Sequence, residues 1–191
     1  MLIDRIIGAF TFRKEVYAEV EKDTTFTSTA WVLVAVVAFL NQFGSRSFDS
    51  LGNRFFGSIV GTVVILVGFS VGIWIITWIG RSLFAAEVTF NELVRTLGLA
   101  YVWNVVGLLG IVSSFSGALS CVLAPVQIAA VLLGLFAWFI AAKEALDLDW
   151  AQTFVTVIIG WVVMFCITVF VGGAIITALG IGAVVAHGIF G

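Results

Sequence analysis

Few side chains in this sequence could do chemistry, and they are scattered. His187 is the only histidine, and it stands beside Gly188 with no serine elbow motif to supply a nucleophile. A base-activated nucleophile needs both groups side by side, so His187 is expected to be an interfacial histidine. Cys121 and Cys166 lie far apart, and Cys166 sits deep in an apolar run, where a thiol acts as a small hydrophobe. With no Cys-x-x-Cys pair and no second histidine, neither a disulfide nor a metal site is expected, and no cofactor is implied. Gly57-x-x-x-Gly61 lacks the lysine and hydroxyl residue that complete a phosphate-binding loop. Glu144, Asp147 and Asp149 make an acidic turn. Such a turn could hold a divalent cation, but a solvated loop whose Asp149 caps the next helix, with Gln152 three residues on, needs no ion.

Arg95 and Asn104 are different, because both fall within an apolar stretch. Polar groups at membrane depth cost free energy and often mark functional sites. Arg95 is expected to pair with a carboxylate, either Glu92 one turn earlier on the same face or Glu144 and Asp147 from a facing loop. Asn104 is expected to hydrogen-bond a neighbouring helix.

The elements that hold these residues follow from composition. Of 191 residues, 62% are hydrophobic and 10% charged, against roughly 25% charged in a soluble domain. A small core cannot hide that excess, and lipid removes the conflict. The net charge of −2 offers no basic patch for nucleic acid. One proline and the lack of any low-complexity linker predict a single membrane domain over 1–191: an interfacial helix at 1–23 and a transmembrane bundle at 24–191.

Residues 2–21 pattern as an amphipathic helix, with Leu2, Ile3, Ile6, Ile7, Phe10, Tyr17 and Val20 on one face and a bend at Thr11-Phe12. It could lie in the membrane interface or pack on the ends of the bundle. It is not expected to be a cleavable leader, having no continuous apolar core. Spans of about 20 residues cross a bilayer core. They are expected at 27–43, 56–83, 89–113, 124–143 and 151–171, the third opened by the capping box Thr89-Phe90-Asn91-Glu92 and the fourth by Ala124-Pro125. Gly172-Gly173 is expected to break the last apolar run, leaving 174–190 as a sixth, short element with small residues at Ala174, Ala178, Gly182 and Ala186. In the second span, Gly57, Gly61, Gly68 and Gly72 share a face and should let another helix approach closely. Lysine and arginine number seven on the N-terminal side and two on the other, which predicts a multi-pass protein of the cell membrane with a cytoplasmic N-terminus.

Three stretches carry a family resemblance. They are Val20-Glu21-Lys22-Asp23-Thr24 leading into the first span, Thr89 through Tyr101, and Trp138 through Ala151 with Lys143-Glu144-Ala145-Leu146-Asp147-Leu148-Asp149 at its centre. With the spacing of the spans, the chain resembles the Yip domain family (Ypt-interacting proteins) in its short prokaryotic form. The resemblance implies an all-α polytopic bundle of about five spans with a cytoplasmic N-terminus. Eukaryotic members are linked to Rab-type GTPases and vesicle transport. This chain lacks their long polar N-terminal region and its Asp-Leu-x-Gly-Pro motif, and it has Asn104 where the family pattern places a proline. GTPase binding and site residues are therefore not transferred.

The resulting expectation is a non-enzymatic membrane protein that organises membrane or binds an unidentified membrane partner. The alternative is a small transporter, channel or lipid-handling protein. A polar cavity reaching Arg95 or Asn104 would favour the alternative, and a solidly packed bundle the former.

Overall fold

The computed structural model describes residues 1–45, 51–113 and 116–178. Those residues form α1 (Leu2–Phe10), α2 (Lys14–Lys22), α3 (Phe26–Ser45), α4 (Leu51–Phe84), α5 (Phe90–Ala100), a 3-10 helix (Tyr101–Leu109), α6 (Gly110–Ser113), α7 (Gly117–Leu146) and α8 (Trp150–Ala178). Five helical stretches are long and apolar enough to span a membrane, the third being α5, the 3-10 helix and α6 read as one. The chain is a multi-pass helical membrane bundle.

Capping chemistry sets the helix starts. Thr89 Oγ1 accepts from the Glu92 amide at 3.3 Å while the Thr89 amide donates to Glu92 Oε2 at 2.6 Å, the reciprocal box expected from sequence. Ser116 Oγ accepts from the Ala118 amide at 3.2 Å and opens α7. The expected start at Ala124-Pro125 is corrected: Pro125 lies inside α7, where it removes one amide donor.

The second correction concerns α8, which runs without a break through Gly172-Gly173 to Ala178. In lipid a broken helix strands backbone amides and carbonyls with no water to take them, which outweighs glycine's weak helix preference of about 1 kcal/mol. A Cβ at Gly172 would lie 3.7 Å from Val64 Cγ1, so this glycine sits beside α4. The sixth element expected from Ala174 is therefore corrected over 174–178, which continue α8; the rest of it, its small residues beyond Ala178, and His187 lie outside the described residues.

Packing arranges the spans in a chain of neighbours: α8 against α4, α4 against α3, α3 against α5 and the 3-10 helix, and those against α7. Of the five spans α4 has the most buried apolar stretch and α7 the least, so most of α7 stands at the flank. The helices α1 and α2 form a platform across one end. They meet at a turn where Phe12 takes φ 58, a left-handed conformation rare for a bulky residue. Its ring stacks on Trp103 at 5.3 Å and meets Phe136 edge-on at 5.3 Å. Thus 2–21 is two helices and not one. Ala9, Val16, Tyr17 and Val20 are buried against the bundle, while Leu2, Ile3 and Ile7 stay exposed. One face of the segment thus packs on the bundle, the second of its two expected placements.

Candidate functional site

A cavity of about 510 Å³ opens between the far end of α3, the 3-10 helix, α6 and α7. Asn41, Ser45, Asn104, Ser113, Ser120 and Gln127 give it amides and hydroxyls, and Trp103, Val106 and Val131 give it apolar wall. Among the described residues its lining holds no ionisable side chain. A smaller cavity of about 100 Å³ adjoins it, sharing Asn104, Ala130 and Val131, and extends toward Trp138, Trp161 and Met164.

The 3-10 helix shapes this space. Nine residues of 3-10 geometry are long for that form, which rarely exceeds three or four. Two amides support it. Asn104 Nδ2 donates back to the Tyr101 carbonyl at 3.2 Å, and Asn41 Nδ2 from α3 donates to the Asn104 carbonyl at 2.7 Å. Side-chain amides that take up backbone carbonyls in this way compete with α-helical bonding. The expected side-chain bond from Asn104 to a neighbouring helix is thus corrected: its amide turns back on its own element, and the link to α3 runs through its backbone carbonyl.

Glycines close one end of the cavity. A Cβ at Gly44 would stand 2.6 Å from Leu108 Cα, and one at Gly110 would stand 2.8 Å from the Gly44 carbonyl carbon. Here backbone meets backbone, and only glycine fits. This contact between α3 and the 3-10 helix was missed from sequence, although Asn104, Gly107 and Gly110 within seven positions signalled a non-α stretch. Of the glycines that were singled out, Gly61 faces the Gln42 side chain of α3, and Gly68 and Gly72 face Met164 on α8. Gly57 is partly buried near the start of α4. Gly61, Gly68 and Gly72 thus serve two different neighbours.

Among the described residues Arg95 has no ion pair, and none with Glu92, Glu144 or Asp147, which corrects the sequence expectation. Its side chain is buried at 4% exposure, and Nε donates to the carbonyls of Val20 and Glu21, each at 2.9 Å. Nη2 also donates to the Glu21 carbonyl, and Nη1 donates to Thr27 Oγ1 at 3.2 Å. Among the described residues no carboxylate lies within ion-pair distance of it. The reason is geometric. Glu92 is committed to its capping box, and the last carbonyls of α2 lack helical partners and carry the negative end of the helix dipole. Arg95 thus closes the C-terminus of α2 and fixes the platform to α5.

The acidic turn does not converge. Asp147 takes a left-handed φ of 50 as the cap of α7, and the Asp149 carbonyl accepts from the Thr153 amide at 2.9 Å. Asp147 and Asp149 are exposed and Glu144 is half-buried. Asp147 acts at a distance on Glu21, whose carboxyl is pushed above its ordinary range by burial first and then by Asp147 and Glu92. Sequence reasoning also missed Arg5, which bridges Glu19 at 2.6 Å and Asp23 at 2.9 Å and so ties α1 to α2 and to the entrance of α3.

The fold and the cavity define a polytopic helical membrane protein with a polar-lined pocket within its bundle. The sequence profile of the Yip1 domain matches residues 7–171, and the chain belongs to that family. No curated protein and no solved structure matches it.

Proposed function

We propose that this Yip1-domain protein, folded as one domain over 1–191 in the cell membrane with its N-terminus cytoplasmic, is a non-enzymatic binding protein. It lodges an uncharged polar guest, either the ester region of a lipid or a small neutral solute, beside Asn104. The observation that carries this is the cavity itself. Its size falls in the range of about 300–1,000 Å³ common for ligand pockets, and its walls mix hydrogen-bonding and apolar groups. Amides and hydroxyls recognise esters, alcohols and amides without the desolvation cost of a charge. They supply no general acid or base. This favours the lipid-handling or transport alternative over a solid scaffold. The membrane-organising reading keeps one observation of its own: α1 presents Leu2, Ile3 and Ile7 outward, as a helix that inserts into the interface would.

The test is to purify the protein in a mild detergent and identify co-purifying molecules by mass spectrometry. A tryptophan in place of Ala130 would fill the wall shared by both cavities. The expected result is a neutral guest held by the parent and lost from Ala130→Trp at unchanged melting temperature. Equal retention by both would overturn the cavity reading and leave the organising role of α1.

A further inference from the structure

At the platform end, two ammonium groups gather around one indole. Lys14, the first residue of α2, places Nζ 5.6 Å from the centre of the Trp150 ring, and Lys143, in the last turn of α7, places Nζ 5.2 Å from it. Lys143 Nζ also donates to the Leu148 carbonyl at 3.1 Å. Among the described residues neither lysine has a carboxylate partner. Arg5, by contrast, takes up both Glu19 and Asp23 on the other side of the platform. Two ammonium groups against one ring, neither engaged by a carboxylate, keep N–H donors that the oxygens of an anion can take up.

The aromatic groups beneath them indicate where that anion sits. Phe139 stacks on Trp150 with centroids 5.9 Å apart and an angle of 8°, and Phe154 lies 5.4 Å further on. Trp150 and Phe154 are about half exposed. The column thus begins at a helix start with an interfacial tryptophan and continues along the outward face of α8, which is apolar and lipid-facing. Charge above and aromatic surface below match the two ends of a lipid.

We propose that Lys14 and Lys143 hold the phosphate of an anionic phospholipid over Trp150, with one acyl chain lying along Phe139 and Phe154. An anionic lipid is preferred over a zwitterionic one because the latter brings its own cation toward two ammonium groups. This site rests on the membrane-spanning fold alone and is independent of the cavity.

The protein would be reconstituted in nanodiscs of equal parts phosphatidylglycerol and phosphatidylcholine, released gently, and its retained lipids weighed by native mass spectrometry. Phosphatidylglycerol should be retained in preference. Lys14→Gln, an exposed and structurally mild change, should lower that preference about fivefold. Lys14→Gln with Lys143→Gln should lower it further, and arginine at both positions should keep it. Arg81→Gln, which removes an exposed cation from the same end of the bundle, should leave the preference unchanged. An unaltered preference in Lys14→Gln, or an equal loss in Arg81→Gln, would overturn the site. Displacement of the lipid by excess inorganic phosphate would overturn the lipid assignment as well.

Discussion

At the scale of single residues, the environment of α2's C-terminus sets the behaviour of the platform. Arg95 bonds the last carbonyls of α2, and hydrogen bonds to a charged partner are worth about 1.5–3 kcal/mol each when one side is removed. Glu21 sits beside it with its carboxyl raised by burial, by Asp147 and by Glu92. A carboxyl whose folded value stands above its unfolded one binds its proton more tightly in the folded state. Its ionisation therefore opposes docking. The penalty is absent below the ordinary value of 4.5, grows as pH rises from there through the raised value, and is complete above it. Asp23 acts in the opposite sense. The Thr25 hydroxyl first, and Arg5 second, hold its carboxyl below the ordinary 3.8, so its stabilisation is full above 3.8 and lost as pH falls through the depressed value. Hydrogen exchange of the amides in 14–22 reads both groups at once. At pH 7, Arg95→Gln should speed that exchange, by a local loss of about 2–3 kcal/mol, and Glu21→Gln should slow it. The Glu21→Gln difference should close as pH falls toward 4.5. An exchange rate in Glu21→Gln equal to the parent's at pH 7 would show that the carboxylate is solvated after all.

Among elements, glycine contacts differ in what lies opposite. A Cβ at Gly68 would meet Thr168 Oγ1 at 3.4 Å, an ordinary contact, so Gly68→Ala should be close to neutral. Gly68→Leu drives a branched side chain between α4 and α8 and should cost about 1–3 kcal/mol. Gly61 faces a flexible glutamine side chain that can swing away, so leucine there should cost less. Gly44→Ala should be worse than Gly68→Ala, because its Cβ would meet the backbone of Gly107 and Leu108, which cannot give. Thermal unfolding in detergent ranks the four variants, and a Gly44→Ala protein as stable as Gly68→Ala would refute the backbone contact. The spans and caps were legible in sequence because hydropathy and capping boxes are local. The 3-10 helix and the cavity were not, since they depend on Asn41 reaching a carbonyl sixty-three positions away. The break assigned to Gly172-Gly173 failed for a related reason: glycine interrupts helices in water, whereas lipid holds the backbone to its own bonds. Arg95 was correctly singled out as a buried charge, but its partners are backbone atoms of another element, which carry no sequence signature.

For the whole molecule, the contacts decide which ends lie together. Arg95 joins α5 to α2, Lys14 reaches Trp150, and a Cβ at Gly80 would meet Leu146 at 2.9 Å. The platform, the 85–89 loop and the 147–149 loop therefore share one end of the bundle. The carbonyl of Ala9 links that end to the cavity. It accepts from Tyr17 Oη at 3.4 Å and from Trp103 Nε1 at 3.3 Å, and Trp103 is also part of the cavity wall. The proposed orientation puts the platform end in the cytoplasm, because lysine and arginine concentrate on that side. Glu87 and Ser116 are exposed and lie at opposite ends. In a background with Cys121→Ser and Cys166→Ala, a cysteine at Ser116 should react with a membrane-impermeant maleimide added to intact cells. A cysteine at Glu87 should react only after the cells are opened. The reverse pattern would invert the molecule in the membrane. It would then place the Lys14–Trp150–Lys143 site in the outer leaflet, and the same labelling would also turn the α1 platform away from any cytoplasmic partner.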